Sequence, residues 1–188
     1  MSDQTENGSW LSWPDTRPPI IGNSDDSITA LATLAVLPIA AGYDEAKEAK
    51  DKGFARLSET KPDNELQSLA MRLVVCIKAK RSKREWQGLV RQIKERQYSD
   101  GGWSQTKEMA SDVWATGQAL YALASAGVKP GDRAIKRAHA FLIKTQRDDG
   151  SWPMTSRPTK PGGTGATSLI PITGAGSSWA VLGLVRSM

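Results

Sequence analysis

Gln97-Tyr98-Ser99-Asp100-Gly101-Gly102-Trp103 decides how this chain is read, because it returns as Gln146-Arg147-Asp148-Asp149-Gly150-Ser151-Trp152 with the same interval from glutamine to tryptophan. The two tryptophans stand 49 positions apart, a spacing that suits an internal repeat of helical hairpins. A degenerate copy, Asn7-Gly8-Ser9-Trp10, lies 93 positions before Trp103, about twice that period, so one unmarked unit is expected in between. The repeated stretch has the chemistry of a helix end, a reversal and a new helix. Its glycines permit the positive φ angles that stop a helix. A glutamine at the helix end can bond orphan backbone groups, and the indole six residues on can cover that bond and wedge between neighbouring hairpins. Gln97, Gly101, Gly102, Trp103, Gln146, Gly150 and Trp152 are therefore structural residues, with Trp103 and Trp152 expected to be buried. A unit of this kind hides its apolar face only by stacking on its neighbours.

Outward from these turns the periods are helical. Residues 26–40 are apolar almost all round, as in an inner helix covered on both sides, and Asp25 or Asp26 is read as its N-cap. Residues 44–59 are charged, with a narrow stripe of Ala46, Ala49, Phe54 and Leu57, which suits an outer helix with one face in water. Lys61-Pro62-Asp63-Asn64 stops that helix and caps an inner one over 66–80, with its stripe at Leu66, Leu69, Ala70, Leu73 and Ile77. Trp86, Leu89, Val90 and Ile93 mark the outer helix that delivers Gln97. Asp112 caps an inner helix over 113–126, and a turn over 127–132 starts an outer one over 133–145. Residues 153–175, rich in Pro, Gly, Ser and Thr, read as a long loop, and 176–188 as a last inner helix. The expectation is a single all-α domain over 1–188, with about seven helices in helical hairpins.

The length suffices for one substantial core. Part of the net charge of +5 comes from Lys78-Ala79-Lys80-Arg81-Ser82-Lys83-Arg84, read as a solvated helix junction in preference to a contact with an anionic membrane surface; no nucleic-acid partner is expected. A single cysteine, Cys76, excludes an intrachain disulfide and a multi-cysteine zinc site. No apolar run reaches the length of a membrane span, and the acidic, polar start is unlike a signal peptide, so a cytoplasmic location is expected. A Trp10 with no outer helix before it, and an apolar pattern interrupted at Met188, read as a piece of a longer chain.

The run Arg137-Ala138-His139-Ala140-Phe141-Leu142-Ile143-Lys144-Thr145-Gln146-Arg147-Asp148-Asp149-Gly150-Ser151-Trp152 resembles, position by position, the repeat of the squalene-hopene and oxidosqualene cyclases: basic, small, aromatic, aliphatic, Gln, Gly, Trp. Asp100-Gly101-Gly102-Trp103, then the Thr-bearing Asp112-Val113-Trp114-Ala115-Thr116-Gly117-Gln118-Ala119-Leu120, then a last repeat, are similar in order to the C-terminal part of that family. The resemblance covers 84–188 well and 7–40 loosely. Gln92 stands where Phe141 has its counterpart, and residues 45–80 carry no repeat signature. The resemblance implies an α/α toroid, here an incomplete ring, with inner helices around a central cavity. Protein prenyltransferase β-subunits and several non-enzymatic binding domains share that architecture, so function has to be argued from sites.

Squalene-hopene cyclases protonate an alkene from an Asp-x-Asp-Asp-Thr-Ala motif. The nearest match here, Asn23-Ser24-Asp25-Asp26-Ser27-Ile28-Thr29-Ala30, has Asn23 for the first acid and two residues before Thr29-Ala30; aligned on Thr29-Ala30, Ser27 takes the place of the proton donor. Asp25 and Asp26 are thus weak catalytic candidates. Zinc of the prenyltransferase kind needs Asp, Cys and His converging on one ion, whereas Cys76 and His139 fall on different helices; no metal and no cofactor is expected. Trp114, Tyr121 and Trp179 are the candidates to line a ligand, since aromatic faces on inner helices can hold a carbocation or pack an apolar chain. Three classes follow: a cyclase or a fragment of one, a non-catalytic toroid that binds an apolar, isoprenoid-like small molecule or a protein on its concave face, and a structural scaffold. The second is preferred. The apolar terminal helices are expected to be covered by another copy of the chain, by flanking sequence or by the 153–175 loop.

Overall fold

The computed structural model describes residues 4–12, 24–157 and 169–188. Seven helices follow one another: α1 (Asp25–Val36), α2 (Asp44–Glu59), α3 (Leu66–Lys78), α4 (Lys83–Glu95), α5 (Val113–Ser125), α6 (Arg133–Thr145) and α7 (Ile170–Ser187). Among the described residues there is no strand, only isolated bridges joining Gln4 to Trp10 and Trp103 to Asp112. α1, α3, α5 and α7 pack side by side, while α2, α4 and α6 each back the inner helix before them. The division follows from the sequence pattern: α3 and α5 each bury ten residues, whereas α2 buries the stripe Ala46, Ala49, Gly53 and Leu57. One contiguous apolar core runs from Ala30 to Ala180.

Several element boundaries differ from the sequence reading. The first inner helix stops at Val36, not at residue 40, because Pro38 has no N–H to continue the ladder. Its N-cap is Ser24, whose hydroxyl accepts from the Ser27 N–H (3.0 Å), so neither Asp25 nor Asp26 caps it. Its buried face is also small and hydroxylic, Ser27, Thr29, Ala30 and Thr33, with Leu31 and Leu34 half-buried, in place of an apolar surface covered all round. Asp63 and Asn64 do not cap α3: the N-cap is Glu65, and the Leu66 N–H is taken by the Gln105 carbonyl (3.0 Å). α7 begins six residues earlier than the sequence reading put it. Pro171 sits in its first turn, where a missing N–H costs nothing, and Gly174 and Gly176 continue as helix. Of the long loop, Met154 is buried (5% exposed) against Gly176, and residues 158–168 lie outside the described residues.

The tryptophan turns are built alike. In turns 4–10, 97–103 and 146–152 the backbone closes with the same pairs, Thr5 N–H to the Ser9 carbonyl, Tyr98 N–H to the Gly102 carbonyl and Arg147 N–H to the Ser151 carbonyl (2.9, 3.0 and 2.9 Å). Gly8, Gly101 and Gly150 all take positive φ (84°, 94° and 81°). Gln4, Gln97 and Gln146 donate to the Gly8, Gly101 and Gly150 carbonyls (3.0, 2.9 and 3.0 Å). The first copy is thus complete, with Gln4 supplying the glutamine. The tryptophan backbone N–H is held by a hydroxyl of the following inner helix, Thr29, Thr116 or Ser177. The glutamine bonds the turn, and the indole bonds the helix end: Trp103 Nε1 donates to the Ile93 carbonyl (2.7 Å) and Trp152 Nε1 to the Leu142 carbonyl (2.8 Å). Both indoles are buried (0% and 4% exposed), as expected of wedges.

The unmarked unit replaces the indole with Arg72. Its guanidinium donates to the carbonyls of Leu57 and Thr60 at the end of α2, doing there what an indole N–H does at Ile93 and Leu142. Ala119 occupies the same place in α5, seven residues after its N-cap, and is buried there.

Candidate functional site

The inner face is tightest where α5 crosses α7. A Cβ on Gly117 would fall within 3.0 Å of the Trp179 carbonyl, and one on Gly183 within 3.0 Å of the Gly117 carbonyl, so only glycine lets these backbones touch. The crossing draws the three candidate aromatic residues together. Trp114 and Trp179 meet edge to face (centroids 6.1 Å apart, planes at 71°), and Tyr121 meets Trp179 in the same way (5.8 Å, 77°). Trp114 is buried, while Tyr121 and Trp179 keep part of their surface open.

Trp114, Gln118 and Tyr121 fall on one stripe of α5. Gln118 is fully buried, and neither end of its amide has a partner among the described residues. It opens on a chamber of about 10 Å³, room for one water, bounded by Glu65, Gln67, Gln105, Trp114 and Arg157. Among the described residues Gln105 Oε1 and Arg157 Nε have no partner there either. Arg157 closes the chamber through an ion pair with Glu65 (2.5 Å), and the other Glu65 oxygen accepts from Ser27 Oγ (3.3 Å). Beside it lies Asp112, the N-cap of α5: Oδ1 accepts from the Ala115 N–H (2.8 Å) and Oδ2 from Gln105 Nε2 (2.9 Å). Burial raises this carboxyl to about 6 against the pull of those hydrogen bonds. A buried polar residue inside an apolar helix is a signal the sequence carried at Gln118. Glu65, Gln105 and Arg157 come from N-cap and loop positions that no periodicity marks.

Asp25 and Asp26 stand elsewhere. Asp26 is held by the buried Arg72 through two guanidinium contacts and accepts from Ser68. Asp25 is exposed and accepts from the backbone and hydroxyl of Ser12 (2.7 and 3.0 Å). His139 Nε2 meets Ser187 Oγ (2.7 Å), and since that hydroxyl lies 2.7 Å from the Gly183 carbonyl as its donor, the imidazole serves as the donor to it. Burial lowers the His139 pKa. Cys76 lines a separate cleft of about 340 Å³ between α2, α3 and α4. The basic run 78–84 is the junction of α3 and α4, exposed from Lys80 to Arg84, with Arg81 paired to Glu85. Among the described residues no three His, Cys, Asp or Glu side chains group as a metal would need, and no helix is long and apolar enough to cross a membrane.

Inner helices packed side by side and each backed by an outer one, with an aromatic cluster where α5 crosses α7, define a partial α/α toroid. The chain belongs to the squalene-hopene cyclase C-terminal domain family, whose model matches residues 61–188. The match takes in residues 61–80, which carry no visible repeat signature, and leaves out residues 7–40, although turn 4–10 is bonded like the others. Among curated proteins none matches the chain.

Proposed function

We propose that this toroid-type chain binds an apolar, isoprenoid-like molecule against its inner face and does not by itself transform it. The observation that carries this reading is the Trp114–Trp179–Tyr121 cluster, built by a glycine-dependent helix crossing and left partly open at Tyr121 and Trp179. Edge-to-face rings of this kind offer an apolar chain both π-faces and contact area. Protonating an alkene needs an acid free to release its proton, whereas Asp26 is committed to Arg72 and Asp25 to Ser12.

Titration with a soluble isoprenoid alcohol should quench tryptophan fluorescence saturably, with affinity lowered about tenfold or more in Trp179→Ala, since truncating a contact aromatic costs about 1.4 kcal/mol or more. Unchanged affinity in that variant sinks the reading. Squalene incubated with the chain should be recovered unchanged.

A second reading, that of a terpenoid cyclase or part of one, draws on Asp112, a buried carboxyl raised to about 6 two residues from Trp114. A cyclised product that vanishes in Asp112→Asn would favour it. One that vanishes in Asp25→Asn or Asp26→Asn would return the role to those residues.

A further inference from the structure

The chamber beside Gln118 gathers more unmet hydrogen-bonding groups than a helix core ordinarily keeps. Among the described residues the Gln118 amide has no partner for Nε2 or for Oε1, Gln105 Oε1 has no donor and Arg157 Nε has no acceptor. Gln118 is 0% exposed and Gln105 4%, so bulk water does not serve them. The other polar groups of the wall are already engaged. Glu65 accepts from Arg157 and from Ser27, and the Gln105 amide N–H donates to Asp112. What remains is mixed: N–H donors on Gln118 and Arg157, and carbonyl acceptors on Gln118 and Gln105, whichever way the Gln118 amide is turned.

That mixture and the volume together select the chemistry of what fills the chamber. A metal cation or an ammonium group would answer the acceptors alone, and a ketone, an ether or an anion would answer the donors alone. A carboxylate or a diphosphate is also too large for about 10 Å³, which holds one water-sized group. A hydroxyl has that size and both donates and accepts. The neighbourhood points past a resident water. Trp114 walls the chamber and meets Trp179 edge to face, and Gln118 stands one turn after Trp114 and less than a turn before Tyr121 on the same stripe of α5. The polar chamber and the aromatic cluster thus share a wall. Of the described residues that line the chamber, Arg157 alone is not buried, so its yielding side is a side chain and not backbone.

We infer that the chamber receives the hydroxyl group of an alcohol whose carbon skeleton lies against Trp114, Trp179 and Tyr121. The inference rests on the binding reading above and narrows its ligand to a hydroxyl-bearing compound. A hydrocarbon on the aromatic cluster leaves the four unmet atoms to a water, whereas an alcohol brings its own donor and acceptor and releases that water. Gln118 then fixes which end of the ligand points inward.

Geraniol and geranyl methyl ether share a skeleton and differ only at the oxygen, so the pair separates the hydroxyl from the chain. Geraniol should bind the full chain about tenfold more tightly than the ether, or better, since a site that bonds a hydroxyl rejects the analogue lacking it. It should also shift the ¹⁵N side-chain amide signals of Gln118 saturably, a readout taken on the unaltered chain. Gln118→Met keeps the length of the side chain without its amide and should abolish the preference for the alcohol, while Trp179→Ala should weaken both compounds. Equal affinities for alcohol and ether, both weakened by Trp179→Ala, would overturn the inference and leave the binding reading in place. Tryptophan quenching by geraniol with unmoved Gln118 amide signals would do the same and assign the chamber to a structural water only. If neither compound binds, the inference and the reading beneath it both fall.

Discussion

At the scale of single residues, the guanidinium of Arg72 shows how a missing motif is made good. It is buried to 5% exposure, ties the end of α2 to α3, and has its charge balanced by Asp26, a residue the sequence presented as a remnant of an acid trio. A buried cation that loses its counter-charge is expensive. Asp26→Ala should therefore cost about 3–5 kcal/mol in urea melts, and a cost below about 1 kcal/mol would show the pair to be a bystander. Asp112 carries the opposite sign of effect. Its carboxyl is raised in the fold from 3.8 to about 6, so its contribution to stability is fully present below about pH 4 and is lost as pH rises through 6. The loss is roughly 3 kcal/mol at most, from about 1.36 kcal/mol per unit. An asparagine in its place would still cap α5, and the Gln105 amide can turn its unpaired Oε1 toward the new side chain. Asp112→Asn should thus flatten the stability profile between pH 4 and 6 and be no less stable than the parent at pH 7. An unchanged slope there would mean that water reaches the carboxyl.

At the scale of elements, the turns were legible and their partners were not. Glutamine, glycine and tryptophan at fixed spacing announce a reversal because each has a backbone task, but the helix that receives the turn lies 37 to 45 residues further on and has no motif of its own. The first turn was readable only in part because Gln4, six residues before Trp10, stands in a polar stretch where one more polar residue carries no signal. α7 was missed over its first six residues for a related reason: Pro171, Thr173 and Gly174 are residues of the kind that make loops, and they continue the composition of the stretch before them. The same contrast gives a prediction. Alanine at Gly101 and at Gly150 meets a similar strain from positive φ, about 1 kcal/mol, but among the described residues only the methyl at Gly101 collides with a backbone carbonyl, that of Arg137 in α6. Gly101→Ala should be more destabilising than Gly150→Ala by about 1–3 kcal/mol, the usual cost of overpacking. Equal losses would mean that α6 moves aside freely.

At the scale of the whole molecule, the order of inner and outer helices was legible because burial of one face or of most of the surface imprints different periods on the chain. The candidate site was legible in its aromatic members, Trp114, Tyr121 and Trp179, which stand out on apolar helices. Of its polar members, Gln118 stands out on an apolar helix, whereas Glu65, Gln105 and Arg157 were hidden because they converge from an N-cap and two loops. The arc also leaves a gap in its wall: where the unmarked turn has no tryptophan, Arg72 fills part of the wedge and the cleft between α2, α3 and α4 remains, with Cys76 half-buried in it. Burial raises the thiol's pKa, so little thiolate is present at neutral pH while the hairpins are closed. Alkylation should accordingly run at least tenfold slower than in the chain unfolded in urea, and should accelerate in Asp26→Ala before the fold as a whole melts. With one thiol in the chain, its rate of modification reports how far the cleft between the first two hairpins stands open, so a single label beside Arg72 follows the breathing of the arc.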